Sequence, residues 1–288
     1  MTKDRNRFWL RMAALMAVSV LVLAACGDDP DETAEPGTDT TTEAGEEAPT
    51  FETKEEGRLT VGSDIPYPPF EMRRGGELVG LDMDIIKEIG TRLGLEVTDD
   101  DIIDTGFDTI FTQLAGGRFD VVIAASTITP EREEEVNFSD PYYNSQQSLT
   151  VASDSGISGV DDLEEGMTVG VQNGTTGKKW AEENLPDGVE IRAFPEGPDA
   201  YTALEGGQLD GVINDEPTAI AEIAEREGLE IAEVIDTGES YGIAVDPNNE
   251  PLLEAINATL AEMIEDGTYQ EIFDRYRDLP PGGSVAAS

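Results

Sequence analysis

FTQLAGGRFDVVI, residues 111–123, returns ninety positions later as YTALEGGQLDGVI, residues 201–213. Both copies open on an aromatic residue and Thr, place Leu before a Gly-Gly pair, and end on Asp and an apolar run. In the first copy, Phe107, Ile110, Phe111 and Leu114 recur at helical spacing. Gly116-Gly117 supplies the left-handed residue that ends a helix. Phe119–Ile123 then reads as a short strand buried on both faces. A second echo pairs LTVGSD (59–64) with MTVGVQ (167–172). The chain therefore holds two copies of one strand and helix arrangement, repeated at far too long a period for a solenoid.

The surrounding segments follow the same alternation. Asp82 is placed to N-cap a helix carrying Ile85, Ile86, Ile89 and Leu93, with Gly94 past its end. Leu253, Ile256, Leu260, Met263 and Ile264 make a late amphipathic helix ended by Gly267. The fold class is α/β, with largely parallel sheets. In open α/β sheets, ligands sit beyond the carboxyl ends of the strands. Those ends here carry Ser63-Asp64, Ala124–Thr127, QNGTTG (172–177) and Asn214-Asp215. Two such sheets facing each other make a cleft between two lobes.

Composition narrows the chemistry. The chain has 62 acidic and 18 basic residues, a formal net charge of −44. With no basic stripe for phosphates, nucleic acid is excluded as a partner. There is no His, which removes the commonest general base and most zinc sites. The single Cys rules out an internal disulfide. These absences count against an enzyme, and no motif calls for a cofactor or metal.

Lys3, Arg5, Arg7 and Arg11 precede an uncharged apolar run, Met12–Ala25, of signal-peptide length. It ends Leu23-Ala24-Ala25-Cys26, which is similar to a bacterial lipoprotein lipobox. Residues 1–25 are expected as a lipoprotein signal peptide, with lipid on Cys26 and an extracytoplasmic anchor. Residues 26–57 are expected as a disordered acidic tether, since Gly27–Gly57 holds twelve Asp and Glu and one aromatic residue.

Several collinear motifs now resemble one family: VGSDIPYPPFE (61–71), GELVGLDMDI (76–85), STITPER (126–132), VNFSDPYY (136–143), VGVQNGTTG (169–177), YGIAV (241–245) and EDGTYQEI (265–272). The family is the family 3 extracellular solute-binding proteins, which deliver polar amino acids to ABC transporters. The resemblance implies a two-lobed periplasmic-binding-protein type II fold with two crossover hinge strands. Lobe 1 then comprises residues 58–144 and 241–280, and lobe 2 residues 145–240. The hinges fall near 144–147 and 239–242, and 281–288 is a flexible tail.

The resemblance also implies roles. In STITPER, Thr129 reads as N-cap, Pro130 as N1 and Arg132 as N3. From pattern alone, Arg132 reads as a surface cation neutralised by Glu133, Glu134 or Glu135. The family match makes it a clamp for the ligand α-carboxylate, for which a guanidinium fork is suited. Thr127 then offers a hydroxyl and Ala125 a backbone N–H, with Thr176 facing the same carboxylate from a helix N-terminus in the other lobe. Asp215 takes the α-ammonium. Tyr67 and Phe107 stack on the ligand side chain, Phe70 reads as core, and Asp64 meets a polar side-chain end, cationic or amide. On this reading, the charge that compensates Arg132 is the ligand carboxylate, with Glu131 and Glu133–Glu135 softening the cost while the cleft is empty. Asp82 reads as a helix cap.

The expected protein is a monomeric, lipid-anchored substrate-binding component of an ABC importer. It captures a free polar L-amino acid, performs no chemistry, and hands its ligand to permease subunits. Two alternatives stay open: a cyclohexadienyl-dehydratase-like enzyme on the same fold, with Glu216 as its candidate acid, and a ligand-sensing receptor domain.

Overall fold

The computed structural model describes residues 51–276 and 279–287. The expected signal peptide, Cys26 and the tether up to residue 50 lie outside the described residues. No helix among the described residues is long and apolar enough to cross a membrane.

The chain opens with β1 (Val61–Ser63), a small hairpin of β2 (Met72–Arg74) and β3 (Glu77–Val79), and helix α1 (Leu81–Leu93). Then come β4 (Ile102–Asp104), α2 (Ile110–Ala115), β5 (Val121–Val122), α3 (Pro130–Glu133) and β6 (Asn137–Phe138). A long strand, β7 (Tyr143–Ala152), leads into β8 (Thr168–Gln172), α4 (Thr176–Asn184), β9 (Glu190–Phe194), α5 (Gly197–Glu205), β10 (Gly211–Asp215) and α6 (Glu216–Ala224). The chain returns on β11 (Leu229–Tyr241) and closes with β12 (Ala244–Val245), α7 (Glu250–Glu265) and α8 (Thr268–Phe273).

Two five-stranded sheets result, ordered β4-β1-β5-β12-β6 and β11-β7-β10-β8-β9. In the first, β1 lies parallel between β4 and β5; in the second, β8 lies parallel between β9 and β10. These trios are the two sequence copies. The sheets are mixed rather than largely parallel, because β12 runs antiparallel to β5 and β6, and β7 antiparallel to β10 and β11. β7 and β11 are the strands that link the two sheets. They pair with each other at the crossing, Tyr143 opposite Tyr241 and Ser145 opposite Glu239.

The apolar run after Asp120 is buried on both faces, as its lack of alternation requires. Val121 and Ile123 join one core with Ile85, Ile89 and Ile256, while Val122 and Ala124 join another with Phe111 and Leu114. The second copy splits likewise, Ile213 packing with Val169 and Val171, and Val212 with Tyr201 and Leu204. Each such buried aliphatic side chain stabilises the fold by about 1.5–3 kcal/mol. Helices α2 and α5 both end before a left-handed glycine, Gly117 at φ 74° and Gly207 at φ 66°.

The two copies share one anchoring device. Asp120 Oδ2 accepts from Thr60 N at 2.8 Å, and Asp210 Oδ2 accepts from Thr168 N at 2.7 Å. In both, the Asp N–H returns a bond to the same threonine's carbonyl. The Asp that precedes the apolar run in each copy is thus a clamp between adjacent parallel strands.

Three expectations are corrected. The tether does not run to residue 57: Phe51 packs against the first core, and Lys54 N–H donates to Asp120 Oδ1 at 2.7 Å. The expected flexible tail is docked over 281–287. Ser284 is buried, donates to Gln270 and pairs with Tyr143. Asp82 does not cap α1, whose N-cap is Gly80 at φ 140°. A Cβ there would stand 1.9 Å from the Phe70 carbonyl oxygen. With the turn closed by glycine, Asp82 is carried inside the first turn and fully buried.

Candidate functional site

A narrow cavity lies where the two lobes meet. From the first lobe, Asp64, Tyr67, Glu71, Phe107, Ala124, Ala125, Thr127 and Arg132 line it; from the second, Gln172, Thr175, Thr176 and Asp215. All eight residues expected as ligand contacts are therefore brought together. Phe70 is core instead, edge-on to Tyr143 and Tyr241.

Arg132 owes its place to the local sequence. Thr129 caps α3, its hydroxyl accepting from Arg132 N–H at 3.2 Å, and Pro130 fills the first turn. The guanidinium donates to the Thr127 carbonyl at 2.6 Å and crosses the cleft to the Gly174 carbonyl at 3.1 Å. It lies over the rings of Phe107 and Phe111, at 5.1 and 4.9 Å, within cation–π range. Burial pulls its pKa down to about 10, opposed by Asp215, Glu239 and Glu131. Arg132 thus stays charged at neutral pH. Of the acids expected to soften that charge, Glu131 does so, but Asp215 and Glu239 act more strongly.

On the opposite lobe, Thr175 caps α4 by accepting from Lys178 N–H at 3.1 Å. Thr176 is then the first helical residue, with its hydroxyl turned to the lobe junction. Asp215 ends β10 and accepts from the Gln147 amide and the Tyr241 hydroxyl. Burial, followed by the neighbouring Glu239, pushes its pKa up.

The role given to Ala125 is also corrected. Its N–H donates to Asp82 Oδ2 at 2.8 Å and is not free for a ligand. Ala125 holds φ 43°, a conformation that costs a non-glycine residue energy. Asp82, also accepting from Tyr142 at 2.9 Å, keeps the loop in that shape. Beside it, burial and Asp82 drive the Glu71 carboxyl well above the usual carboxylate range. Burial also lifts the Asp82 pKa, to about 6, against the opposing bonds from Ala125 and Tyr142.

At the other end of the cavity, Gln172 Nε2 donates to Asp64 Oδ2 at 2.6 Å across the lobes. The other Asp64 oxygen is buried without a partner. Burial, then Glu196, raises Asp64 to about 7. Tyr67 donates from its hydroxyl to Asn214 Oδ1 at 2.8 Å, a further link between lobes.

Four residues were missed from the sequence: Glu71, Gln147, Gln172 and Glu239. Gln172 had a signal, because MTVGVQ aligns it with Asp64 of LTVGSD. The others had none. Among the described residues, no carboxylate cluster is arranged to hold a metal ion.

Residues 59–278 match the model of the bacterial extracellular solute-binding proteins, family 3. ABC transporter arginine-binding protein 1 of Escherichia coli (strain K12) is 32% identical over 225 residues, 76% of this chain and 90% of that protein. Among solved structures, an ancestral arginine-binding protein bound to glutamine is 37% identical, with TM-score 0.73, covering 78% of this chain and all of that one. An ancestral amino acid-binding protein described as a precursor of cyclohexadienyl dehydratase is 33% identical, with TM-score 0.69, covering 76% of this chain and 95% of that one. With the fold, the cavity and these similarities in agreement, the chain belongs to the bacterial extracellular solute-binding proteins, family 3.

Proposed function

We propose that the protein captures an L-amino acid with a cationic side chain for an ABC importer. The observation that carries this reading is the placement of Arg132 and Asp215 on opposite lobes of one cavity. An α-carboxylate on Arg132 and an α-ammonium on Asp215 are both satisfied only when the lobes are together. The ligand thereby selects the closed state.

The side-chain end is set by charge. Asp64 has a buried oxygen with no partner, and the carboxylates of Glu196 and Asp104 raise its proton affinity further. A guanidinium or ammonium there neutralises this cluster, whereas a ligand carboxylate adds to it. The arginine-binding relatives support the same choice. Glu216, the acid an enzyme of this fold was expected to use, is not among the cavity-lining residues, which favours capture over chemistry. In this reading the protein is a monomer anchored by lipid on Cys26, outside the cytoplasmic membrane, and delivers its ligand to permease subunits.

Calorimetry and thermal shift with arginine, lysine, histidine, glutamine and glutamate test the proposal. Saturating ligand raises apparent stability by a few kcal/mol. Arginine or lysine is expected to give the largest shift and glutamate none. No shift with any amino acid would sink the reading.

A further inference from the structure

Glu239 lies on the hinge strand β11, outside the ring of cavity-lining side chains. Between Ile235 and Glu239 the pairing with β7 slips, and Gly238 sits at φ 63°. Such a bulge re-aims the side chain that follows it. Here it turns a carboxylate into the lobe junction. Thr127 Oγ1 donates to Glu239 Oε2 at 2.9 Å, and Thr176 Oγ1 donates to the same oxygen at 3.0 Å. Gln147 Nε2, on the other hinge strand, donates to it at 3.2 Å. Thr127 belongs to the loop after β5 in one lobe; Thr176 opens α4 in the other.

We propose that Glu239 is a positioning residue of the binding site, a hinge-seated carboxylate that fastens the two lobes together through Thr127 and Thr176. The proposal deepens the amino-acid-capture reading and rests on it for its physiological meaning. Three donors from three elements meet at one oxygen, and two of those elements separate when the cleft opens. A carboxylate turned to solvent needs no such convergence. Each threonine hydroxyl has one proton, and Glu239 takes both. Toward the cavity these hydroxyls then present lone pairs only. The ligand carboxylate is left to N–H donors, namely Arg132 and the first turn of α4, while the hydroxyls accept from the ligand ammonium alongside Asp215. Glu239 thus sets both the balance between open and closed lobes and the direction in which an amino acid lies.

The test measures the lobes directly. In the full chain with Cys26→Ser, nitroxide labels at Thr91→Cys in α1 and Glu183→Cys in α4 report the inter-lobe distance by double electron–electron resonance, without added ligand. Glu239→Ala is expected to deplete the short-distance population and enlarge a longer one. Glu239→Gln, which keeps one acceptor, falls between. Thr127→Val and Thr176→Val, nearly isosteric and on opposite lobes, should each reproduce part of the Ala effect. These two variants decide the matter if Glu239→Ala folds poorly. Distance distributions in Thr127→Val and Thr176→Val identical to the parent's overturn the proposal, as does an unchanged distribution in folded Glu239→Ala. Failure of the unsubstituted protein to bind any amino acid would instead strike the capture reading, and it leaves this distance measurement decisive for Glu239.

Discussion

The two copies differ least where they hold the sheet together and most where they face each other. Asp120 and Asp210 clamp Thr60 and Thr168 in the same way, with bonds of 2.8 and 2.7 Å. At the carboxyl ends of these strands, the identities part. Asp64 stands opposite its counterpart Gln172, and Ala125 occupies the position that Asp215 holds in the second lobe. Only the first copy continues into a capped turn bearing Arg132. The scaffold is duplicated, while Arg132 is supplied by one lobe and Asp215 by the other. On the proposed reading the ligand carboxylate goes to Arg132 and its ammonium to Asp215, so binding and closure become one event.

Breaking the division should have the largest effect. Arg132→Ala is expected to weaken amino-acid binding by about 3–5 kcal/mol, roughly a hundred- to several-thousand-fold, because a buried carboxylate loses its partner. Asp215→Asn keeps one of the two acceptor oxygens and loses the charge, and should cost less, about 2 kcal/mol. Calorimetry reads both. If Arg132→Ala binds as tightly as the parent, the lobes do not divide the ligand's charges in this way.

Breaking the shared scaffold should act on stability and leave the site alone. Asp120 is buried and accepts from Thr60 N, Thr60 Oγ1 and Lys54 N. Asp210 is part-buried and accepts from Thr168 N. Urea unfolding of Asp120→Ala should show a loss of about 2–3 kcal/mol, and of Asp210→Ala about 1 kcal/mol. Equal losses would mean that the clamps are not distinguished by their bonds. A collapse of affinity in either would mean that the scaffold and the site are not separable.

What the sequence showed follows the same line. The Asp-apolar runs revealed the duplicated strands because burial on both faces leaves a mark on every residue. Thr129-Pro130 revealed the turn that carries Arg132, since capping is local. Asp82 misled for the complementary reason: an acid at a helix start fits a cap, and only the glycine turn at Gly80 shows that it is swallowed into the core to hold Ala125. Glu239 was invisible because its direction depends on a bulge against a strand ninety residues away. The docking of residues 51–57 and 281–287 depends on surfaces built by distant segments, so polar composition misplaced both boundaries.

Acidity sharpens the contrast between Asp64 and Gln172. Asp64 is raised to about 7, Asp82 to about 6, and Glu71 well above the usual range, in each case first by burial. The folded state therefore binds these protons more tightly than the unfolded chain does. Their stabilising contribution is full below about pH 4 and is lost as pH rises toward 7 and above. Each such proton tilts stability downward by about 1.4 kcal/mol per pH unit within that window. Asp64→Asn makes the two strand ends alike and should flatten the slope. Unfolding free energies at pH 5, 6, 7 and 8 test this. A cationic ligand should also release protons from the parent, seen as binding heats that vary with buffer ionisation enthalpy, and release fewer from the variant.

The smallest effect should come from the rim. Lys179 and Glu131 join the lobes by a bond of 2.7 Å, as Arg132 and Gly174 do, but both side chains are exposed. Solvent screens such a pair and leaves two long side chains to be ordered for little return. Arg132 is half-buried, with its donors held between carbonyls and aromatic rings, where water competes less. Lys179→Ala is expected to change affinity by less than about fivefold at low salt, and the difference should vanish near 0.5 M salt, where the Debye length falls to about 4 Å. A large, salt-independent loss would show that closure is governed at the rim and that the buried charges only recognise what the rim has already trapped.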